Sequence, residues 1–197
     1  MNKLLVVFLV LSSSTSAAFA SFSDIAEKQE FFDAIEYVQA NDIVDGYSDG
    51  TYRQDQKITR AEFTKIVVNS VFSKEEIDNC NSANIFPDIA KDGWSFPYIC
   101  IAKNKSIIVG YQDGTFKPEN KINFAEAAKI ISIGFSYDYE KDEIWYKPFI
   151  SILGDGNTIP ISIHSVDQEI TRVEMAEIIY RLKTDNQEKS SADLEEI

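Results

Sequence analysis

The sequence predicts an all-α domain made of three helix–loop–helix repeats, arranged as a pseudo-threefold, three-pronged bundle with extended loops. The first observation is that residues 46–52 (GYSDGTY) recur 64 positions later as residues 110–116 (GYQDGTF). The second is a helix-start pattern that occurs three times, each time followed by apolar residues at helical spacing. Repeats of this length indicate one supersecondary unit stacked on itself.

The first half of each copy predicts a short amphipathic helix. Trp94 and Pro97 in copy two have the same spacing as Trp145 and Pro148 in copy three. A Pro at this place suits the first helical turn. Copy one lacks both residues, and its helix is predicted from the apolar period alone. Because the Trp residues begin apolar stripes, we expect them in the core, with a sugar-contacting role as the alternative.

The loop and second helix of each copy have clear local signals. Gly50 and Gly114 follow Asp in the repeated turn, where we expect positive φ. A capping box, in which the N-cap side chain and a Glu three residues later bond to each other's amides, then begins each second helix. The three boxes or close variants are Thr59 with Glu62, Asn123 with Glu126, and Thr171 with Glu174.

The ends of the chain are assigned by composition. Residues 1–20 are predicted to be a secretory signal peptide, with Lys3, the apolar run 4–11 and a small-residue cleavage site at 18–20. That run is too short to span a bilayer, so no membrane span is expected after cleavage. Repeats 22–79, 80–138 and 139–183 form the domain at 21–183. The acidic tail, 184–197, is predicted to be disordered.

Charge and side-chain chemistry exclude several functions. The chain has 32 acidic and 19 basic residues, a net charge of −13, which argues against nucleic-acid binding. His164, the only His, has no partner pattern, and no catalytic motif is present, so we predict no enzyme, cofactor or metal site. The acidic loops 45–50 and 155–157 leave calcium as a minor alternative, although Gln56 stands where a calcium loop needs Glu. Cys80 and Cys100 are expected to form one disulfide in an oxidising compartment.

These motifs resemble S-layer homology repeats. The resemblance rests on the F-x-D openings at 22–24 and 86–88, the G-Y-x-D-G-T-aromatic loop, and residues 58–63 (ITRAEF). It implies a secreted protein held non-covalently on a bacterial cell wall. The implied ligand is a secondary cell-wall polysaccharide, often pyruvylated, bound in grooves between repeats. The resemblance also implies a set of ligand-binding residues, which in this chain are Arg60, Arg172, Asp24, Asp88, Gly46, Tyr47, Gly110 and Tyr111.

The chain departs from the family pattern in copies two and three. Copy two has Asn123 and Phe124 where Thr-Arg is expected, and copy three lacks the F-x-D opening. The rival hypothesis is therefore a structural module that kept the fold and lost glycan binding. In that case Phe124 would be an exposed aromatic that contacts another envelope protein. The sequence leaves open whether the third repeat closes the bundle.

Overall fold

The structure, a computed structural model, describes residues 22–27, 29–83, 85–185 and 189–192. The predicted signal peptide lies outside these residues. Within them the protein is helical, with only isolated bridges between extended segments, which confirms the all-α prediction. None of the helices in this part of the chain is long and apolar enough to cross a membrane. The helices are α1 Phe32–Ala40, α2 Arg60–Val71, α3 Lys74–Asp78, α4 Phe96–Asn104, α5 Phe124–Gly134, α6 Lys147–Asp155 and α7 Arg172–Thr184.

The capping boxes form at two of the three predicted helix starts. In α2 and α7 the N-cap Thr accepts from the amide of the Glu, and the Glu accepts from the amide of the Thr. In α5 only the first bond forms, from the Glu126 amide to Asn123. A third complete box, Ser73 with Glu76, begins α3, which the repeat pattern did not predict.

The prongs of the bundle are helix pairs taken from neighbouring repeats. The first helix of repeat two, α4, packs on α2 of repeat one, and α6 of repeat three packs on α5 of repeat two. The circle is completed by α1 of repeat one, which packs on α7 of repeat three. Pro97 and Pro148 lie in the first turns of α4 and α6, as predicted. Each repeat is therefore stabilised by the next one.

A ring of three backbone hydrogen bonds marks the pseudo-threefold axis. The Ile58 amide donates to the Ile170 carbonyl at 3.2 Å, Ile122 to Ile58 at 3.2 Å, and Ile170 to Ile122 at 3.1 Å. All three side chains are fully buried. The third repeat therefore closes the bundle within one chain, which answers the question that the sequence left open.

The F-x-D openings hold the repeated loops in place. Asp24 accepts from the amides of Tyr52 and Arg53, at 2.7 and 2.8 Å. Asp88 bonds in the same way to the corresponding amides in repeat two. A Cβ on Gly46 would lie 2.2 Å from the Phe22 ring, so the loop can pack on the opening only if this residue is glycine.

The turn that ends each loop is tightened by its own Asp. Gly50 and Gly114 have φ of +81°, as predicted. The Asp113 carboxylate accepts from the hydroxyl and amide of Thr115 and pairs with Lys117. These bonds, those from Thr115 above all, lower the pKa of Asp113 to about 2, and equivalent bonds lower that of Asp49 to about 2.

A disulfide joins the segment after α3 to α4. It is formed by Cys80 and Cys100, as expected.

Part of the acidic tail contacts the bundle. Residues 189–192 lie inside the tail that is predicted to be disordered, and the Ala192 amide donates to the Ile159 carbonyl at 3.0 Å. The composition of the tail does not reveal these contacts, because they depend on a groove formed by distant parts of the chain.

Candidate functional site

Two grooves between the repeats contain six of the eight predicted site residues. Each groove combines an Arg from one repeat, the loop and second helix of the next, and a Trp from the third. The Arg172 groove, a cavity of about 210 Å³, is lined by Ile43, Val44, Asp45, Gly46, Tyr47, Glu62, Lys65, Ile66, Trp94 and Arg172. The Arg60 groove, of about 420 Å³, is lined by Arg60, Ile107, Ile108, Val109, Gly110, Tyr111, Gln112, Glu126, Lys129, Ile130 and Trp145.

Both Arg side chains are anchored in the same way. Arg172 and Arg60 begin α7 and α2, and only 6% and 5% of their surfaces are exposed. The Nε of Arg172 donates to the Tyr52 carbonyl at 2.8 Å, and the Nε of Arg60 donates to the Phe116 carbonyl at 3.1 Å. With Nε held by backbone, the outer edge of each guanidinium is directed toward its groove.

Aromatic rings flank both guanidinium groups. The Cζ of Arg172 lies 5.0 Å from the Tyr47 ring centre and 4.7 Å from that of Tyr52. The Cζ of Arg60 lies at similar distances from two rings of repeat two, those of Tyr111 and Phe116. Rings this close to a guanidinium attract its charge, and a planar guanidinium can form a two-point hydrogen bond to a carboxylate.

In the Arg60 groove the cation is already paired. Glu126 Oε1 lies 3.3 Å from Arg60 Nη1, and it also accepts from the Tyr111 hydroxyl at 2.8 Å. Burial and this hydrogen bond raise the pKa of Tyr111 to about 12. Glu126 is the residue that leaves the α5 capping box incomplete, because its carboxylate is turned into the groove. The chain's own carboxylate therefore occupies the position that an anionic ligand would take.

In the Arg172 groove neither the Arg nor the Tyr is paired with a carboxylate of the described residues. Arg172 donates to the Asp45 carbonyl at 3.1 Å but makes no ion pair with any residue that the structure describes. The Tyr47 hydroxyl is buried and has no hydrogen-bond partner in the same part of the chain. Glu62, the counterpart of Glu126, instead caps α2 by accepting from the Thr59 amide at 2.8 Å.

The other carboxylate of the Arg172 groove, that of Asp45, is also paired away from Arg172. The Asp45 carboxylate, 80% exposed at the rim, pairs with Lys65 at 3.0 Å. The groove thus has a buried Arg that bonds to backbone carbonyls but to no carboxylate of the described structure, and a buried hydroxyl with no partner there, while its two carboxylates are held elsewhere. Buried polar groups in proteins are nearly always hydrogen-bonded, so this pair favours a ligand that accepts two bonds.

The expectation that Trp94 and Trp145 are core residues is wrong. They are 54% and 50% exposed, and each lies at the outer wall of a groove. The physical reason is that both residues precede their helices, which begin at Phe96 and Lys147, so the apolar stripe does not include them. An exposed indole beside a polar cleft offers the flat apolar face that a sugar ring packs on.

The other predicted site residues divide into two groups. Gly46, Tyr47, Gly110 and Tyr111 line the grooves together with the two Arg residues. Asp24 and Asp88 do not line either groove, because their carboxylates are used by loop amides, so their role is to position the loop.

The rival hypothesis requires the Phe124 side chain to be exposed at the surface. The structure places it in the core, where it is 0% exposed, so the expectation of an exposed aromatic at this position is wrong.

Sequence reasoning missed the lysines of the grooves. Lys65 and Lys129 both lie six residues after the N-cap of a second helix, and each contributes a cation to its groove. The signal was available, since both occupy the same position in aligned repeats. Among the described residues no cluster of His, Cys, Asp or Glu is arranged to hold a metal ion.

Comparison with known proteins agrees with this architecture. The S-layer homology domain model matches the chain twice, at residues 21–64 and 85–128. The Middle cell wall protein of Brevibacillus brevis is 29% identical over 138 residues, covering 70% of this chain and 13% of that protein. The Cellulosome-anchoring protein of Acetivibrio thermocellus is 30% identical over 112 residues, covering 57% of this chain and 25% of that protein.

A third relative matches over a longer part of the chain. Exoglucanase XynX of Acetivibrio thermocellus is 28% identical over 181 residues, covering 82% of this chain and 16% of that protein. This chain therefore spans only 13% to 25% of the length of these three relatives. The two model matches fall on repeats one and two, which supply all of the Arg60 groove except Trp145 and all of the Arg172 groove except Arg172. The chain contains two S-layer homology repeats, at residues 21–64 and 85–128.

Proposed function

We propose that this protein attaches non-covalently to the bacterial cell wall by binding a carboxylate-bearing wall polysaccharide in the Arg172 groove. The S-layer homology domain and the cell-wall and anchoring relatives support the anchoring role and a location at the cell surface. The observation that carries the choice of ligand is the buried Tyr47 hydroxyl, which has no partner within the described structure, beside Arg172, which has no carboxylate partner there.

The donor pair suits a sugar that carries a carboxylate, such as one with ketal-linked pyruvate. A planar guanidinium recognises a carboxylate through two parallel hydrogen bonds, and a charge-assisted bond is roughly twice as strong as a neutral one. The Tyr47 hydroxyl supplies a further donor within the same cleft. Trp94 at the rim supplies an apolar face for the sugar ring. With a net charge of −13, the protein needs such a local cation to hold an anion.

The Arg60 groove is the weaker site in this proposal. A ligand carboxylate there would have to displace Glu126 from both Arg60 and Tyr111. Breaking this ion pair and this hydrogen bond of a half-buried Glu costs about 1–3 kcal/mol, which the ligand would have to replace before gaining affinity. Its larger cavity and Trp145 suit a neutral part of the polymer, next to the anionic unit held by Arg172.

The proposal is tested by cosedimentation. The chain from residue 21 onward is mixed with wall fragments of its host, either intact or stripped of secondary polysaccharide. We expect it to pellet with the intact walls and to remain in solution with the stripped ones. Added free polysaccharide should release it from the pellet. Equal pelleting with both preparations, or none with either by a folded protein, would overturn the proposal.

A further inference from the structure

The pseudo-threefold repeat has a third inter-repeat position, and its chemistry is opposite to that of the two Arg grooves. The buried Phe124 stands where the others have Arg. Six residues after the N-cap, where α2 and α5 have Lys65 and Lys129, α7 has Glu177. Four residues further on, α7 has Arg181, buried and paired with Glu177 at 2.8 Å. We call the surface formed by Glu177, Arg181 and the loop at 159–160 the third groove.

The third groove contains a segment of the chain itself. Residues 189–192 run along the 159–160 loop, where Ser191 forms an isolated antiparallel bridge with Pro160. The Ala192 amide donates to the Ile159 carbonyl at 3.0 Å, and the Ser191 hydroxyl donates to the same carbonyl at 2.9 Å. The Arg181 Nη1 donates to the Ser190 carbonyl at 3.0 Å. Backbone groups of the segment are thus bound as a strand is bound at a sheet edge.

Lys189 is the side chain that enters the groove. Its Nζ lies 3.0 Å from Glu177 Oε1, and it also donates to the Glu30 carbonyl at 3.2 Å. Glu30 is the counterpart of Trp94 under the shift of 64 residues, so the lysine lies where the other grooves have their Trp wall. The rings of Phe31 and Tyr180 flank the ammonium group, at 6.0 and 5.7 Å.

We propose that the third groove is a peptide-binding site, selective for an extended segment with a lysine followed by small residues, and that residues 189–192 of this chain are its occupant. The Glu177 carboxylate is fully buried, and a buried carboxylate requires a charged partner to be stable. Arg181 supplies one such partner from α7 itself, and Lys189 supplies the second from the bound segment. The third groove has Phe124 and Glu177 where the other two grooves have Arg and Lys. It therefore accepts a cation and excludes an anionic glycan.

The first test measures amide hydrogen exchange in the full chain and its Lys189→Met variant. We expect the Ala192 amide to exchange at least tenfold faster in the variant, because the segment loses its anchoring charge. Lys141→Met is the matched control, since Lys141 is exposed in a loop and makes no ion pair within the described structure. Unchanged exchange at Ala192 in the Lys189→Met protein would overturn the proposal.

The second test asks whether the emptied groove accepts a peptide supplied separately. A fluorescent peptide of residues 186–195 is titrated into the Lys189→Met protein and into the unmodified protein. We expect binding to the variant at least tenfold tighter than to the unmodified protein, whose groove is filled. The same peptide with Lys189→Met should bind at least tenfold more weakly. Equal binding of the two peptides, or none by a variant whose segment is released, would contradict a peptide site.

Discussion

Replacing Arg172 by Met is expected to reduce polysaccharide affinity by roughly 10- to 150-fold. The change removes the charge-assisted hydrogen bonds proposed for the ligand carboxylate, which contribute about 1.5–3 kcal/mol, and each 1.4 kcal/mol corresponds to a factor of ten. Met keeps much of the side-chain length, so the rings of Tyr47 and Tyr52 retain an apolar neighbour. The measurement is calorimetric titration with purified wall polysaccharide, at a temperature where both proteins are folded.

Arg60→Met is the matched control for this experiment. Arg60 has the same position in its helix, nearly the same burial and the same kind of backbone hydrogen bond. Because its guanidinium is paired with Glu126, we expect its loss to lower polysaccharide affinity no more than a few-fold. The reverse order, with Arg60→Met as the more damaging change, would assign the anion to the Arg60 groove and contradict the present assignment.

Replacing Phe124 by Ala is expected to lower the free energy of unfolding by about 3–5 kcal/mol, the usual effect of removing a fully buried aromatic ring. The Phe124 side chain is 0% exposed, and its amide donates to the Gln168 carbonyl at 2.9 Å at the junction with repeat three. The ring thus occupies space in the core at the place where two other repeats have an Arg. Urea unfolding followed by circular dichroism measures the change.

The control for Phe124 is an aromatic residue on the surface. Tyr137 is 42% exposed, and its replacement by Ala should change the unfolding free energy by less than about 1 kcal/mol. A cost below about 1 kcal/mol for Phe124→Ala would mean that the ring is accessible after all. That result would restore the hypothesis of a protein-contacting aromatic at this position.

Local sequence signals predicted the elements of the fold well. A capping box depends on residues three positions apart, so Thr59 and Thr171 identify helix starts without any tertiary information. Gly50 and Gly114 identify their turns for the same reason, since positive φ is a local requirement. The same rule applied to Ser73 would have found α3.

The candidate site was only partly predictable, because contacts between repeats decide which of its charged side chains are paired with each other. The sequence pattern treats Glu62 and Glu126 as equivalent, but one caps its helix and the other pairs with an Arg of the preceding repeat. Nothing in the repeat itself indicates which option a given Glu takes. The occupied third groove is a similar case, since the sequence does not show that the chain turns back after α7 and brings Lys189 to Glu177, 12 positions away.

The two Tyr residues of the grooves provide the most direct test of the Arg172 groove as the ligand site. Polysaccharide is titrated into the unmodified protein, Tyr47→Phe and Tyr111→Phe, and the unfolding free energy of each is measured in parallel. We expect Tyr47→Phe to bind about tenfold more weakly with no loss of stability, because its hydroxyl has no partner within the described structure. Tyr111→Phe should bind normally but lose about 1 kcal/mol of stability, because its bond to Glu126 is removed. Normal binding by Tyr47→Phe, together with weakened binding by Tyr111→Phe, would contradict this assignment.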